Sequence, residues 1–257
     1  MKTLVMKFGG ASVATPEHFS KIADIVIEKH QSFPRIIIVV SAMGKTTDEL
    51  IDLAKKVHPA PPRREYDMLV SVGERISISL LAMALELKNH EAVSFTGSQS
   101  GIITTEEHTE ARIVDVRPRR LISSLDEGKI VIVAGFQGVS TKGEITTLGR
   151  GGGDTTAVAL GVAFDSKVEF YKDVPGIFSA DPKLNSQALH YPHLSYQDAL
   201  KITSQGAKVL HPRSIQLAEK NALELHVLSF NKEYKTSTLI SSQSCLKNEK
   251  PIYEYDV

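Results

Sequence analysis

Two glycine-rich segments of the sequence have the composition of phosphate-binding loops. The first, KFGGAS at residues 7–12, follows a predicted strand, and the second, GRGGGDTT at residues 149–156, leads directly into a predicted helix. Glycine lets backbone N–H groups come close to phosphate oxygens, and the first turn of a helix adds N–H groups that have no partner within the helix. Four glycines in five residues around an arginine are more than a tight turn requires. The second segment therefore predicts an anion site.

Two familiar nucleotide-binding motifs do not fit these segments. Residues 44–46, GKT, resemble the end of a P-loop, but the glycine that opens that motif would have to stand at Val39, inside a predicted strand. Residues 149–151, GRG, resemble the start of a dinucleotide-binding fingerprint, but its last glycine would fall on Asp154, a charge where the pyrophosphate or the helix contact should lie. The predicted anion site is therefore of another kind.

Charged residues beside the glycines suit phosphoryl transfer, which depends on cations around the moving group and on an acceptor held in line. Lys7, at the end of the first predicted strand, and Lys208, between two predicted helices, are the candidate cations. Asp154 lies between them in the sequence and could orient both ammonium groups. Two alternatives stay open here, because a single lysine is usually a solvated surface charge and an aspartate at a helix start is often an N-cap.

The strands and helices that would position these residues alternate along the chain. Apolar runs predict strands, and apolar residues at helical spacing predict helices. The predicted strands are residues 3–8, 36–40, 92–96, 130–134, 168–171 and 225–230, and the predicted helices are a segment after Pro16 and residues 66–88, 154–163, 195–205 and 211–221. This alternation predicts right-handed βαβ units and a mainly parallel sheet with helices on both faces, which binds its ligands beyond the carboxyl ends of the strands.

The overall composition argues against several classes of partner. The 257 residues include 30 Lys and Arg and 30 Asp and Glu, so the formal net charge of zero gives no field that would attract nucleic acid or an anionic membrane. The single cysteine, Cys245, can form neither an internal disulfide nor a cysteine metal site, which favours a reducing, cytoplasmic setting. We also expect no apolar window long enough to cross a bilayer.

Six segments, in order along the chain, resemble the signatures of the aspartokinases. They are KFGGASV (7–13), VVSAM (39–43), GER (73–75), TTLGRGGGDTTA (146–157), KDVPGI with a following DP (172–177 and 181–182) and GAKVLHP (206–212). The resemblance implies an amino-acid kinase fold of the carbamate kinase-like type, a three-layer α/β/α sandwich with a mainly parallel sheet. It implies a catalytic domain at 1–240, with a substrate-binding lobe at about 1–140, a nucleotide-binding lobe at about 141–240, and a tail at 241–257.

The resemblance also implies an activity. Aspartokinases transfer the γ-phosphoryl group of ATP to the β-carboxylate of L-aspartate, which gives 4-phospho-L-aspartate, the first step toward lysine, threonine and methionine. Mg²⁺ is expected to bridge the β- and γ-phosphates mainly through phosphate and water oxygens. No protein ligand for the metal is therefore assigned.

Roles for individual residues follow from the same resemblance. Lys7 and Lys208 would stabilise the transferring phosphoryl group, and Asp154 would hold them in place. The substrate-binding residues would be Ser41, Thr47, Glu74, Arg150 and Gly153. The nucleotide-binding residues would be Lys7, Gly9, Gly10, Lys172, Asp173, Gly176, Phe178, Lys183 and Lys208. Arg150 would pair with a substrate carboxylate, which suits its planar fork of donors, and Glu74 would take the substrate ammonium group.

Glu74 has a simpler reading as a solvated charge on the predicted helix at 66–88. Its neighbours Val72 and Ile76 are apolar, and Gly73 stands directly before it. Glycine weakens a helix by about 1 kcal/mol relative to alanine, and the sequence gives no structural benefit for it here. This favours a functional role for Glu74.

The sequence departs from the aspartokinase pattern at several positions. Ala11 stands where threonine is usual, Gly153 where serine is usual and Phe178 where tyrosine is common, and each lost hydroxyl contact is worth about 1 kcal/mol. The usual regulatory pair of small α/β domains would begin after Leu239, so we expect catalysis that lysine and threonine do not inhibit. Two alternatives are a kinase of this fold with another amino acid or acyl acceptor, and a non-catalytic sensor. A homodimer is a further expectation.

Overall fold

A central sheet of eight strands organises the fold. The computed structural model describes residues 2–182, 184–185, 187–204, 209–231, 233–234, 236–242 and 250–254. Within them the strands are β1 (Thr3–Phe8), β2 (Arg35–Val40), β3 (Ala92–Phe95), β4 (Ile102–Thr104), β5 (Ile113–Val116), β6 (Ile130–Ala134), β7 (Gln137–Ser140), β8 (Ile145–Thr147), β9 (Val168–Lys172), β10 (Ile177–Phe178), β11 (His190–Tyr191), β12 (His193–Leu194), β13 (Leu225–Ser229) and β14 (Ser237–Ile240). The helices are α1 (Pro16–His30), α2 (Thr46–Val57), α3 (Arg63–Val70), α4 (Val72–Glu86), α5 (Arg119–Asp126), α6 (Gly152–Ala163), α7 (Tyr196–Ser204) and α8 (Pro212–Lys220), with a short 3₁₀ helix at Gly10–Val13.

The eight strands of the main sheet lie in the order β12-β14-β13-β9-β1-β2-β6-β3. Every neighbouring pair is parallel except β13 and β14, which confirms the predicted mainly parallel sheet. The continuous apolar runs of β1, β2 and β6 fit this position, because a strand with helices on both faces buries all of its side chains. The carboxyl ends of β9, β1, β2 and β6 consequently share one edge of the sheet.

The two faces of the sheet contain separate apolar cores. Leu4, Met6 and Phe8 of β1 pack in one core with residues of α1 and α4, whereas Val5 packs in the other with residues of α6 and α8. Because side chains alternate along a strand, Lys7 extends from the same face as Val5, toward α6. This three-layer α/β/α arrangement confirms the predicted fold class and explains why Lys7 approaches the second glycine segment.

Several elements were not predicted from the sequence. Four short strands form a second sheet in the order β5-β4-β7-β8, and β10 pairs with β11. These strands have two to four residues each, and their buried positions include the polar Thr104, Gln137 and Thr146, so their apolar residues form no run long enough to predict a strand. Helix α2 was also missed, since it buries only Ala54. The predicted helix at 66–88 is instead two helices, α3 and α4, which meet at Ser71.

The stretch Arg63–Glu86, which spans α3 and α4, is long and apolar enough by composition to cross a membrane, with a mean hydropathy of 1.6. The expectation that no window reaches this length was therefore wrong. In the folded chain the stretch is broken at Ser71, and its residues Leu81 and Leu85 are fully buried in the core. A helix that packs against a sheet passes the same compositional test, so this stretch is weak evidence for a membrane span.

Residues 250–254, within the predicted tail, pack beside α8. The Ile252 N–H donates to Asn221 Oδ1 at 2.9 Å, and the Glu254 carboxylate accepts from Arg213 Nε and Nη2 at 2.7 and 3.0 Å. These described tail residues are therefore ordered and in contact with the body of the fold. The division into two lobes at about residue 140 stays a prediction.

Candidate active site

The carboxyl ends of neighbouring strands bring several predicted site residues together. Lys7 is the penultimate residue of β1, Ser41 directly follows β2, and Lys172 ends β9. Since β9 and β2 flank β1, these three strand ends are adjacent. Helix α6 begins at Gly152 and packs against β1 and β2, which places its first turn at the same edge.

A buried group of three charges lies at this edge. Lys7 Nζ is 2.9 Å from Asp154 Oδ1, and Lys172 Nζ is 3.4 Å from Asp154 Oδ2. The three side chains are only 6%, 10% and 16% exposed for Lys7, Asp154 and Lys172. The predicted pairing of Lys7 with Asp154 thus occurs, and the second ammonium group that the described residues bring to Asp154 is that of Lys172.

The protonation of Asp154 follows from these contacts. Burial alone raises the pKa of a carboxyl group, but the ammonium groups of Lys172 and Lys7 outweigh that effect and hold the pKa of Asp154 at about 2. Burial, together with the nearby charge of Lys7, lowers the pKa of Lys172. Asp154 is not an N-cap, because the N-cap of α6 is Gly151 and Asp154 is the third residue of the helix. It is instead an ionised carboxylate that fixes two cations.

The second glycine segment adopts the backbone that its composition predicts. Gly151 has φ of +75°, in the left-handed region, and a Cβ at this position would overlap the His211 ring. A Cβ at Gly153 would lie 3.3 Å from Ser41 Oγ and 3.5 Å from Lys7 Cε. The start of α6, where backbone N–H groups lack helical partners, is therefore in direct contact with the buried cations, which suits an anion.

Glu74 lies in the first turn of α4 and is only 3% exposed, so the reading of it as a solvated charge is wrong. Its Oε1 accepts a hydrogen bond from Ala42 N at 3.0 Å, whereas its Oε2 is buried and accepts none from the described residues. Burial raises the pKa of Glu74 to about 7, although the bond from Ala42 and the charge of Lys7 act in the other direction. A buried carboxylate oxygen without a donor is suited to receive one from a ligand.

Gly73 has a structural purpose that the sequence did not reveal. A Cβ on Gly73 would lie 2.7 Å from the Ala42 Cβ and 3.7 Å from Thr47 Oγ1. Glycine is required here so that α4 can approach the loop after β2, and the expectation that it brings no structural benefit was wrong. The close approach is also what puts the Glu74 carboxylate within hydrogen-bonding distance of Ala42.

Comparison with known proteins identifies the family. A model of the amino acid kinase family matches residues 2–229, which is most of the chain. The chain belongs to the amino acid kinase family. Among curated relatives, the aspartokinase of Mycolicibacterium smegmatis is 51% identical over 231 residues, which cover 89% of this chain and 55% of that protein. The aspartokinase of Bacillus sp. strain MGA3 is 47% identical over 244 residues, which cover 95% of this chain and 59% of that protein.

Solved structures agree with the amino acid kinase assignment. Aspartate kinase from Synechocystis superposes with a TM-score of 0.85 at 42% identity, covering 98% of this chain and 42% of that one. E. coli aspartokinase III in complex with aspartate and ADP superposes with a TM-score of 0.85 at 26% identity, covering 95% of this chain and 65% of that one. UMP kinase from Ureaplasma parvum superposes with a TM-score of 0.66 at 16% identity, a likeness that shows a shared fold alone. This amino acid kinase spans little more than half the length of the curated relatives it matches.

Three further predicted residues of the amino acid kinase are Arg150, Gly10 and Phe178. Arg150 is exposed and makes no hydrogen bond or ion pair with the described residues, so its guanidinium group is available to a ligand. A Cβ on Gly10 would lie 3.4 Å from Ala42 O, which brings the first glycine segment beside the loop after β2. Phe178 is half-buried and its ring centroid is 5.0 Å from that of His190.

Other predictions receive less support from the geometry. Asp173 is exposed on the chain just after β9, and Gly176 follows with φ of +137°. Lys183 and Lys208 lie outside the described residues. No group of three or more His, Cys, Asp or Glu side chains within the described ranges is arranged to hold a metal ion.

Two residues that the sequence analysis missed anchor the second glycine segment. Asp67, fully buried in α3, accepts hydrogen bonds from Thr147 N and Oγ1 at 3.1 and 2.6 Å, and its Oδ2 is 2.9 Å from His108 Nδ1. Arg213 of α8 donates to the carbonyl oxygen of Leu148 and pairs with Glu254. The two residues that directly precede the glycine segment are thereby held in place. No local sequence signal marks either residue, since their partners are 80 and 65 positions away.

Proposed function

We propose that this amino acid kinase transfers the γ-phosphoryl group of ATP to the β-carboxylate of L-aspartate, giving 4-phospho-L-aspartate and ADP. The product would enter amino-acid biosynthesis toward lysine, threonine and methionine, in the cytoplasm. The proposal is supported by relatives named aspartokinase at about half identity and by a matching structure that contains aspartate and ADP.

The buried group of Lys7, Asp154 and Lys172 is the observation that supports this reaction most directly. In the reaction, an oxygen of the aspartate β-carboxylate attacks the γ-phosphorus, and the bond to the β,γ-bridging oxygen breaks with its electron pair leaving on ADP. Negative charge accumulates on the phosphoryl and bridging oxygens. Fixed ammonium groups in a buried site stabilise such charge without reorganisation, which makes this kind of interaction a large part of catalysis.

The substrate would be recognised through both of its main-chain charges. Glu74 would accept the aspartate ammonium group on its free Oε2, and Arg150 would pair with a carboxylate through its fork of donors. Ser41 and Thr47 would donate hydroxyl hydrogen bonds to the carboxylates. The β-carboxylate would lie near Gly153, which adjoins both Ser41 and the buried Lys7.

The nucleotide would lie across the carboxyl ends of β1 and β9, with its phosphates on the backbone of Gly9 and Gly10. The remainder of the nucleotide would be contacted by residues that follow β9, namely Asp173, Gly176 and Phe178. The other proposed nucleotide-binding residues are Lys183 and Lys208. Both carboxylate oxygens of Asp154 face ammonium groups. Mg²⁺ would therefore be held by the β- and γ-phosphates and water rather than by this carboxylate, and it would neutralise phosphate charge.

The proposed function is tested by incubating the protein with ATP, Mg²⁺ and L-aspartate and trapping the acyl phosphate as hydroxamate. We expect hydroxamate and ADP in equal amounts, both dependent on aspartate. ADP release without hydroxamate would contradict transfer to a carboxylate. Absence of both products, with nucleotide and aspartate still bound, would instead support a non-catalytic sensor.

Glutamate and N-acetylglutamate should be compared as acceptors in the same assay. Gly153 lacks the serine hydroxyl that is usual in aspartokinases at this position beside Ser41, so a kinase with another acceptor is the second candidate. We expect kcat/KM for aspartate to exceed that for glutamate by at least about 10-fold, because one methylene is worth roughly 1–3 kcal/mol in a closed pocket. The opposite order would reassign the acceptor and leave the kinase class intact.

One face of α4 suits the proposed homodimer. Its large exposed apolar residues are Val72, Ile76, Met83 and Leu87, at positions that follow one stripe along the helix and its C-cap. Met83 and Leu87 are 65% and 85% exposed. Soluble proteins rarely leave a continuous apolar stripe uncovered, and such a stripe marks an interaction surface.

A second copy of the chain is the partner that this stripe fits best. In an antiparallel pair of α4 helices, Ile76 of each copy would face Met83 of the other, and Val72 would face Leu87. The same register would bring Arg75 of one copy near Glu86 of the other, so that opposite charges would border the apolar contact twice. This two-fold self-complementarity is the requirement for a closed dimer.

Replacing Met83 with glutamate should convert the dimer to a monomer, because the pairing would bury charges in an apolar contact. Sedimentation equilibrium should give twice the chain mass of 28.1 kDa for the wild type and a single chain mass for the variant. Ile122→Glu on α5, another exposed apolar helix position, is the matched control and should remain dimeric. A monomeric wild type, or an unchanged mass for Met83→Glu, would contradict the proposed interface.

A further inference from the structure

We propose that Lys172 is a further catalytic residue whose ammonium group contacts the phosphoryl group in transfer, side by side with Lys7. The inference rests on the proposed function. It places the Lys172 side chain at the reacting end of the nucleotide, where the sequence alone had put it only somewhere along the nucleotide.

The strand register puts Lys172 at the reacting edge. β1 and β9 run parallel, with Phe8 opposite Tyr171. Gly9 directly follows Phe8 at the end of β1, and Lys172 follows Tyr171 as the last residue of β9, so the Lys172 backbone lies beside the start of the first glycine segment. A nucleotide whose phosphates rest on that segment would pass directly in front of β9.

Side-chain alternation directs Lys172 to the same face of the sheet as Lys7. Lys7 is paired with Phe170, and residues two apart on a strand point the same way. Tyr171, which lies between Phe170 and Lys172 in β9, extends from the opposite face of the sheet, where its ring stacks on that of Phe8 with a centroid distance of 4.6 Å. The Lys172 ammonium group consequently reaches Asp154 Oδ2 at 3.4 Å, whereas Lys7 contacts Oδ1 of the same carboxylate.

The charges of this group do not cancel. Lys7 and Lys172 contribute two positive charges and Asp154 one negative charge, so the three buried side chains together are positive, whereas the Asp173 carboxylate that also acts on Lys172 is exposed to solvent. Burying an uncompensated charge is costly. The cost is relieved when an anion enters, and the phosphoryl group of ATP carries its charge on several oxygens that two ammonium groups can share.

A purely structural role for Lys172 explains the arrangement less well. Asp154 already has its closer partner in Lys7, at 2.9 Å, and its contact with Lys172 is longer, at 3.4 Å. The ammonium group of Lys172 is desolvated and repelled by Lys7, both of which lower its pKa. A lysine placed where burial and a second lysine both disfavour its charged form is better explained by an anionic ligand that it binds.

Lys172 would act as a fixed charge in the step itself. The carboxylate oxygen of the acceptor forms the new bond to the γ-phosphorus, and the bond to the β,γ-bridging oxygen breaks. The electron pair stays on ADP, and no proton moves to or from Lys172. Its role is to stabilise charge that grows on the phosphoryl oxygens, and loss of one such contact typically lowers kcat by about 100- to 1,000-fold.

The experiment compares Lys172→Met, Lys172→Arg and the exposed control Lys142→Met with the wild type, in the aspartate- and ATP-dependent assay. We expect Lys172→Met to lower kcat by roughly 100-fold or more, with KM for aspartate changed by less than about 3-fold. Lys172→Arg should recover at least about one tenth of wild-type kcat, because it keeps the charge. Lys142→Met, at a side chain 73% exposed, should match the wild type.

The pH dependence of kcat gives a readout that a structural role would not move. The charged groups that face Lys172 are Lys7 on β1, Asp154 on α6 and Asp173 on its own chain segment. Deprotonation of Lys172 as the pH rises removes the catalytic charge, so wild-type kcat should fall on the alkaline side. Arginine stays protonated there, and the plateau of Lys172→Arg should extend to higher pH.

The outcomes separate this inference from the proposed function. A wild type that phosphorylates another acceptor refutes the aspartate assignment but leaves the Lys172 comparison to be made with that acceptor. A kcat for folded Lys172→Met within about 3-fold of wild type would overturn the inference. A Lys172→Arg variant whose kcat falls at the same alkaline pH as that of the wild type would also overturn the inference. If Lys172→Met does not fold, this comparison with Lys172→Arg is the deciding test.

Discussion

Replacing Lys7 with alanine should lower kcat by roughly 1,000-fold while the dissociation constant of aspartate changes by less than about 3-fold. Lys7 is nearly inaccessible to water, and its ammonium group is fixed 2.9 Å from Asp154 beside the start of α6. A fixed charge of this kind acts mainly on the charge that develops during transfer, so its loss should appear in kcat rather than in acceptor binding. Steady-state ADP release and calorimetric titration with aspartate measure the two quantities.

Lys2→Ala is the matched control for Lys7→Ala, because Lys2 precedes the same strand at the opposite edge of the sheet and is exposed. It should leave both kcat and aspartate binding unchanged. Equal losses of kcat and of aspartate affinity in Lys7→Ala would count against the assigned role and would point to a general collapse of the site. The melting temperature of each variant shows whether such a collapse has occurred.

Replacing Glu74 with glutamine should weaken aspartate binding by roughly 10- to 150-fold, since a hydrogen bond between charged groups contributes about 1.5–3 kcal/mol. Glutamine has a similar shape and keeps a carbonyl oxygen for the bond from Ala42. It loses only the negative charge that would face the substrate ammonium group. Calorimetric titration of the wild type and the variant with aspartate measures the difference, and unchanged nucleotide binding is the internal control.

Glu74 should also make aspartate binding depend on pH. Burial raises its pKa to about 7 in the free protein, and the substrate ammonium group requires the ionised form. Aspartate affinity of the wild type should therefore fall as the pH decreases through 7, whereas Glu74→Gln should lack this dependence. An equal pH dependence in both proteins would contradict the assignment.

The same raised pKa predicts a change in stability of the ligand-free protein. A carboxyl group with a raised pKa in the folded state stabilises the fold at low pH, and this contribution is lost as the pH rises through the folded-state value. At pH 8 the buried charge of Glu74 is therefore unfavourable, and Glu74→Gln should raise the melting temperature there. A lower melting temperature at pH 8 would show that the carboxylate is already compensated without substrate.

The elements that the sequence predicted well are those with continuous apolar runs. β1, β2 and β6 bury nearly every side chain, so their pattern depends little on the neighbouring elements. The Lys7–Asp154 pair could also be predicted, because both residues adjoin glycine segments at strand and helix ends. The small second sheet could not, since its buried threonines carry no apolar signal.

Features that depend on distant contacts were beyond sequence reasoning. The position of Lys172 beside Asp154 requires that β9 lies next to β1, although about 160 residues separate them in the chain. The purpose of Gly73 became clear only from the position of Ala42. Asp67 looks like any polar residue of an amphipathic helix until its bonds to Thr147 are seen. In each case the missing information was which element lies beside which.

The packing of the second glycine segment determines which of its positions tolerate redesign. Gly151 is excluded, because its left-handed backbone and the His211 ring leave no room for a side chain. At Gly153, by contrast, φ is not positive, and the nearest contacts of an added Cβ would be side-chain atoms of Ser41 and Lys7 at 3.3 and 3.5 Å, next to the reacting groups. A library that varies position 153 and leaves 151 fixed would therefore retain folded members while altering acceptor choice, which makes Gly153 an entry point for evolving new substrates on this scaffold.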